Sequence, residues 1–208
     1  YRPLVTAVHE ELGRSLSTMI DEDRPDRVAA LLDCGFEVET VGERFSIRFS
    51  EVLNRLQRAW VPTGYELRSV SAVDEQRAFE LDNAIRNLVP GSEGWAGDAD
   101  WFHEELTSPE FDPIAYLIAI ERATNRYVGL IRIWRNPDGP RLGLIGVLPE
   151  HRSQPVAAAL LKQGLSAAAE WGYESFVTET SPGNRHTYPR MVRLSSKRLG
   201  RFLQLIRR

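Results

Sequence analysis

Apolar residues recur along the chain first at helical and then at alternating spacing, and the switches between the two periods delimit its elements. Residues 4–12 (LVTAVHEEL) predict a helix that stops at Gly13. Residues 14–20 (RSLSTMI) read as a buried strand. RPDRVAALLDCGF predicts a second helix over 24–36, with Val28, Leu31 and Leu32 on one face and Gly35 as its stop. EVETV and RFSIRF, split by Gly42-Glu43, predict an antiparallel hairpin. SEVLNRLQRAWVPTG then connects, and Pro62 and Gly64 mark a boundary that divides the chain into residues 1–58 and 59–208.

The second part carries a longer series. YELRSVS predicts a strand, VDEQRAFELDNAIRNL a helix, and DADWFHEEL another helix entered through Asp98 or Asp100. AYLIAIER and RYVGLIRIW predict strands joined by the turn ATN, and RLGLIGVL a third strand after the turn NPDGP. An alanine-rich helix with Leu161, Leu165 and Ala168 on its buried face follows; then come the strand SFVTET, the helix RHTYPRMVRL and the strand FLQLIRR. This order predicts an α/β (α+β) fold, a mixed, mostly antiparallel twisted sheet with helices on both faces. The two parts also echo each other: helix end, glycine, buried strand, loop, helix. Arg24 to Gly35 and Asn184 to Ser195 are both eleven residues apart, which points to an internal repeat.

The informative junction is GLIGVLPEHRSQPVAAALLKQGL, where a strand turns at Pro149 and enters a helix through Pro155. A helix N-terminus presents unpaired N–H groups and the positive end of its dipole, so it suits an anion. Arg152 adds a cation, and Ser153, Ala157 and Ala158 are small enough for a ligand to approach the backbone. Pro155 has no N–H, which removes one donor, yet proline is well accommodated in the first helical turn. The donors of Ser153, Gln154, Val156, Ala157 and Ala158 remain.

A strand ending in Val147-Leu148, then Pro149, an arginine and small residues at a helix mouth resembles the acyl-CoA motif of the GNAT acetyltransferase superfamily. That motif runs Arg/Gln-x-x-Gly-x-Gly/Ala, and Arg152-Ser153-Gln154-Pro155-Val156-Ala157 stands in its place. The element order from Tyr65 to Arg208 resembles the family's throughout. The resemblance implies a GNAT-like domain over 59–208 that binds acetyl-CoA through Val147, Leu148, Arg152, Ser153, Gln154, Val156, Ala157, Ala158 and Asn184. It implies transfer of an acetyl group to the amine of a small molecule or peptide by direct attack. A backbone N–H near Val147 or Leu148 would polarise the thioester oxygen. Glu179 is the candidate base; Arg152 and Glu179 also admit surface or structural readings, the phosphate role being the favoured one for Arg152. In many relatives a tyrosine seven residues after the Asn protonates the leaving thiolate; Met191 stands there, Ser195 replaces a glycine, and Tyr188 becomes the candidate acid or a cover for the first helical turn. By the same resemblance residues 1–58 look like the trailing half of a first, truncated copy in a tandem protein, a reading to which the start at Tyr1 without Met adds. Pro155 and Met191 also support a rival, a non-catalytic module that binds acyl-CoA or supports a dimer. A homodimer is a further expectation.

Composition narrows the chemistry. With 26 Lys+Arg against 29 Asp+Glu the net charge is −3, so no basic field recruits nucleic acid or an anionic membrane. One cysteine, Cys34, excludes an internal disulfide framework and reads as packing. No apolar run approaches the roughly 20 residues of a membrane span, and no signal peptide is visible, so the expected address is the cytoplasm. His103, Glu104 and Glu105 are adjacent and do not share a helix face, so no metal site is expected. The segment GSEGWAGDADWFHEEL falls where the family builds its acceptor wall. Trp101 reads as core there, and His151 and Glu150 as exposed and incidental.

Overall fold

The computed structural model describes residues 2–13, 15–109, 111–194 and 197–208. The chain forms two compact units, one from residues 1–45 with 179–208 and a larger one from 46–178.

In the smaller unit α1 (Arg2–Leu12) ends at Gly13, whose φ of 59° is left-handed. β1 (Leu16–Asp21), α2 (Pro25–Asp33) and β2 (Glu37–Arg48) follow. The predicted hairpin is a single strand instead. Gly42 does not turn the chain; it lets the Phe202 ring of β8 (Arg198–Arg207) lie flat on β2, where a Cβ would meet that ring at 2.1 Å. β8 pairs antiparallel with β1 and with β2, from Leu16–Arg207 to Asp21–Phe202 and from Glu37–Ile206 to Phe45–Arg198. Cys34, Phe36, Leu203 and Leu205 are buried together, with Val28 and Leu31 partly buried against them. Leu32 is exposed, so the inward face of α2 is narrower than its sequence suggests. α7 (Tyr188–Arg193) is shorter than the predicted helix.

The larger unit opens with the end of β2, then α3 (Phe49–Arg55), β3 (Tyr65–Ser69), α4 (Glu75–Arg86) and α5 (Ala99–Thr107). β4 (Tyr116–Glu121), β5 (Arg126–Asn136) and β6 (Gly139–Val147) form an antiparallel meander, with β3 on β4. α6 (Val156–Ala169) crosses to β7 (Ser175–Thr180), which pairs parallel with β6 at Arg141–Val177 and Leu142–Thr178. The sheet is therefore mixed and mostly antiparallel. Alternation along β5 sends neighbours to opposite faces. Leu130 joins Ala78, Leu81, Ile85 and Phe102 of α4 and α5, whereas Ile131 meets α6 at Gly164, where a Cβ would come within 2.9 Å. Leu165 and Ala168 are fully buried on α6 as predicted, while Leu161 is only partly buried and Leu160 is buried in its stead. Lys162 donates to the carbonyls of Gln57 and Ala59 and so anchors the connector before β3.

Candidate functional site

The junction after β6 is a tight structure. Pro149–His151 forms one 3-10 turn, and Arg152, Ser153 and Gln154 are exposed. Inside α6 the first hydrogen bond runs from the Ala159 N–H to the Pro155 carbonyl, so the N–H groups of Val156, Ala157 and Ala158 precede the helical ladder. Ala157 is exposed at this mouth and Val156 is fully buried beneath it. Gln154 is different: its N–H donates to the His151 carbonyl at 3.1 Å, so it is not among the available donors. Arg152 donates from Nε to the Val147 carbonyl at 3.1 Å, which tethers the guanidinium to the end of β6.

His151 is buried rather than exposed, with the Tyr65 hydroxyl 3.0 Å from its Nδ1. The reason is architectural. The turn folds its last residue back over the start of β3, and the imidazole fills the gap beside the Tyr65 ring. Glu150 is exposed and pairs with Arg126.

The two backbone donors expected to polarise an acyl oxygen separate clearly. Leu148 N–H donates to the Val128 carbonyl at 2.8 Å and is spent in the sheet. Val147, opposite Gly129, is the next residue of an antiparallel ladder, and the alternation of that ladder turns its N–H away from β5.

On the α4/α5 face of the same strands lies an ionic layer that the sequence reading missed. Arg132 of β5 is 3% exposed. Its guanidinium reaches Asp82 of α4 and Glu105 of α5, and Arg86 donates to the same Asp82 from one helical turn on. The Tyr116 hydroxyl donates to Asp82 as well. Burial raises the carboxyl of Glu105 above the usual range against the pull of Arg132, and burial followed by the charge of Asp82 drives the Tyr116 phenol well up. Above this layer opens a cleft of about 380 Å³ lined by Arg86, Trp101, Glu105, Trp134, Arg141 and Gly143. Trp101 is 44% exposed and walls the cleft; it is not core, and Phe102 takes the buried position. Gly143 makes room for the Trp134 indole, whose Nε1 would lie 2.7 Å from a Cβ there.

The remaining candidates belong to the smaller unit. Glu179 accepts from Arg44 Nε at 2.7 Å, and Arg44 also holds Asp21 at 2.8 Å. Asn184 Oδ1 accepts from the Thr187 N–H at 3.0 Å and shapes the turn into α7. Tyr188 packs edge-on against Phe45, and partial burial, then a hydrogen bond to Glu43, raises its phenol pKa. Ser195 lies outside the described residues. Among the described residues no group of three or more His, Cys, Asp or Glu side chains could hold a metal ion, and no helix is long and apolar enough to cross a membrane.

The structure is similar to a GCN5-related N-acetyltransferase from Sphaerobacter thermophilus, at 17% identity and a TM-score of 0.63, over 92% of this chain and 59% of that one. It is similar to a tandem GNAT protein from the clavulanic acid biosynthesis pathway, at 16% and 0.61, over 92% and 63%. A GCN5-related N-acetyltransferase from Kribbella flavida matches at 18% and 0.59, over 97% and 72%. The chain thus spans about three fifths of the length of the first two. No curated protein matches the sequence. The likeness in fold agrees with the sequence, in which the model of the acetyltransferase (GNAT) family matches residues 76–191, from the start of α4 into α7. That match takes in the helices over the cleft, the meander and the loop into α6, more than half of the chain, and the chain belongs to the acetyltransferase (GNAT) family.

Proposed function

We propose that this protein is an acetyl-CoA-dependent N-acetyltransferase acting on an amine of a small molecule or peptide. The observation that carries the reading is the mouth of α6, where the N–H groups of Val156, Ala157 and Ala158 precede the helical ladder beside exposed Ser153 and Ala157. Donors of this kind, with the helix dipole behind them, suit a diphosphate. The residues fit such a ligand: the side chains at the mouth are small, and the tethered Arg152 adds a cation that needs no further ordering. Bound acetyl-CoA would supply an activated acyl group. The chain's own part is to hold the phosphates at the α6 mouth, polarise the acyl oxygen through the Val147 N–H, and handle protons. The acceptor nitrogen must lose a proton and form the N–C bond as the C–S bond breaks, and the sulfur then takes a proton. We assign the first proton to Glu105 rather than Glu179, because Glu105 borders the cleft with a raised pKa. Tyr188 is the donor to sulfur.

In the same reading residues 1–58 are the trailing half of a first copy of such a domain. Helix, left-handed glycine, strand, helix and strand recur in order, with Gly13 at φ 59° and Gly172 at φ 85° in the same place between helix and strand. Calorimetry with acetyl-CoA, followed by thiol release against an amine panel, tests the activity. Binding with release on no amine would leave a sensing module, and no binding would end the proposal.

A further inference from the structure

We propose that the cleft over the ionic layer takes an amine that also carries a carboxylate, with the ammonium set toward Glu105 and the carboxylate toward Arg86. This rests on the acyl-transfer reading above. Both side chains line the same cleft and are anchored from below, Glu105 by Arg132 and Arg86 by Asp82. They are also largely buried, at 14% and 23% side-chain exposure, so each has lost much of its hydration and is fixed before a ligand arrives. A fixed carboxylate and a fixed guanidinium in one small cavity match a ligand of both signs.

Other acceptors fit worse. A polyamine or an amino sugar with several ammonium groups would bring positive charges against Arg86 and Arg141, where among the described residues one carboxylate, Glu105, borders the cleft. Like charges in a partly desolvated site carry a heavy penalty. A simple alkylamine satisfies Glu105 and brings no anion to the side of the Arg86 guanidinium that faces the cleft, Asp82 holding it from the other. Two further walls, Trp101 and Trp134, are flat and largely apolar, and Arg132 backs the Trp134 ring at 4.0 Å. They suit the hydrocarbon or aromatic body of the acceptor. A volume of about 380 Å³ holds one small molecule rather than a folded polypeptide. The cleft is also in reach of the acyl-CoA loop: Gly143 and Val147 are on one strand, about 13 Å apart at the usual strand rise.

The test uses the purified chain. Calorimetric titrations with free amino acids, the corresponding amino acid methyl esters, spermidine and an aminoglycoside read the cleft without requiring turnover. Acetyl-CoA is titrated separately, and thiol release is then measured on the same panel. The expected result is that esterifying the carboxylate weakens binding and lowers kcat/KM at least tenfold. Arg86→Gln should bring the acid-to-ester ratio near one while leaving acetyl-CoA affinity unchanged. Arg86→Lys, which keeps the charge, should retain part of the preference. Equal use of acids and esters, or a preference for spermidine or the aminoglycoside, overturns this inference while leaving acyl transfer intact. Amino acid binding without acetyl-CoA binding keeps the cleft assignment and removes the proposed activity.

Discussion

The guanidinium of Arg132 lies 4.0 Å from the ring centroid of Trp134, stacked beneath the cleft wall. The same group is tied to Asp82 and Glu105, so one nearly inaccessible cation fixes an aromatic wall and two carboxylates on α4 and α5. Removing one partner of a buried ion pair strands the others without hydration. Arg132→Ala should therefore destabilise the protein by about 3–5 kcal/mol, read as a lower urea midpoint. Arg132→Lys should recover little, since an ammonium cannot serve both carboxylates and stack flat on an indole. A lysine variant as stable as the parent would show that the planar fork is unimportant.

Glu105 gives a pH signature. Burial raises its carboxyl above the ordinary carboxylate range, and a base works only when deprotonated. Activity should thus fall as pH drops through a midpoint above the usual glutamate value of about 4.3. Glu105→Gln should remove that acidic limb and lower kcat, with acetyl-CoA affinity unchanged. A variant that keeps the limb would move the proton to another group.

At the mouth of α6, Ala157→Glu places an anion beside the donors of Val156 and Ala158. Acetyl-CoA binding should disappear in calorimetry while circular dichroism stays unchanged, because the site is exposed and glutamate is a good helix former. Arg152→Ala should weaken binding less, and mainly at low salt, since an exposed cation is screened. Retained binding by the glutamate variant would remove the phosphate role of this helix.

Gly42 and Phe202 make a packing test in the smaller unit. The cross-strand pair leaves no space for a Cβ, with three ring atoms inside 2.7 Å of it. Gly42→Ala should cost about 1–3 kcal/mol by overpacking. Phe202→Leu in that background should restore part of the loss, because a smaller side chain relieves the clash. Additive effects in the double variant would mean that the two positions do not touch.

Most elements were readable because their signals are clean, as in the short, almost unbroken apolar runs YLIAIE and GLIRIW and the left-handed glycines after α1 and α2. Gly42 misled because a glycine in a strand means a turn or a close approach, and only the ring across the sheet distinguishes them. The ionic layer was readable but unread. Asp82 falls in the register of Ala78, Leu81 and Ile85, and Arg132 has the parity of Leu130, so both sit on faces otherwise apolar. A charge on such a stripe signals a buried partner. Which charges meet depends on how α4 and α5 lie over β5, and no local pattern carries that. His151 was hidden for a similar reason: its burial depends on Tyr65, far away in sequence.

Tyr188 supplies the last prediction. Its hydroxyl bonds to Glu43, and partial burial followed by that carboxylate holds the phenol pKa above its ordinary value. The group therefore stays protonated throughout the neutral range and can act as an acid toward a thiolate, an ordinary thiol having a pKa of about 8.5. Donation from the weaker acid is uphill but useful when timed with C–S cleavage, since a positioned acid or base contributes about 10²–10⁴-fold. Tyr188→Phe keeps the edge contact with Phe45 and removes only the proton. With saturating acetyl-CoA, kcat should fall by about tenfold or more while cofactor affinity is unchanged. The parent should hold its activity up to about pH 10, because the acid form is lost only above the usual tyrosine value. An unchanged kcat in the phenylalanine variant would make Tyr188 a cover for the first turn of α7 and leave water as the proton source.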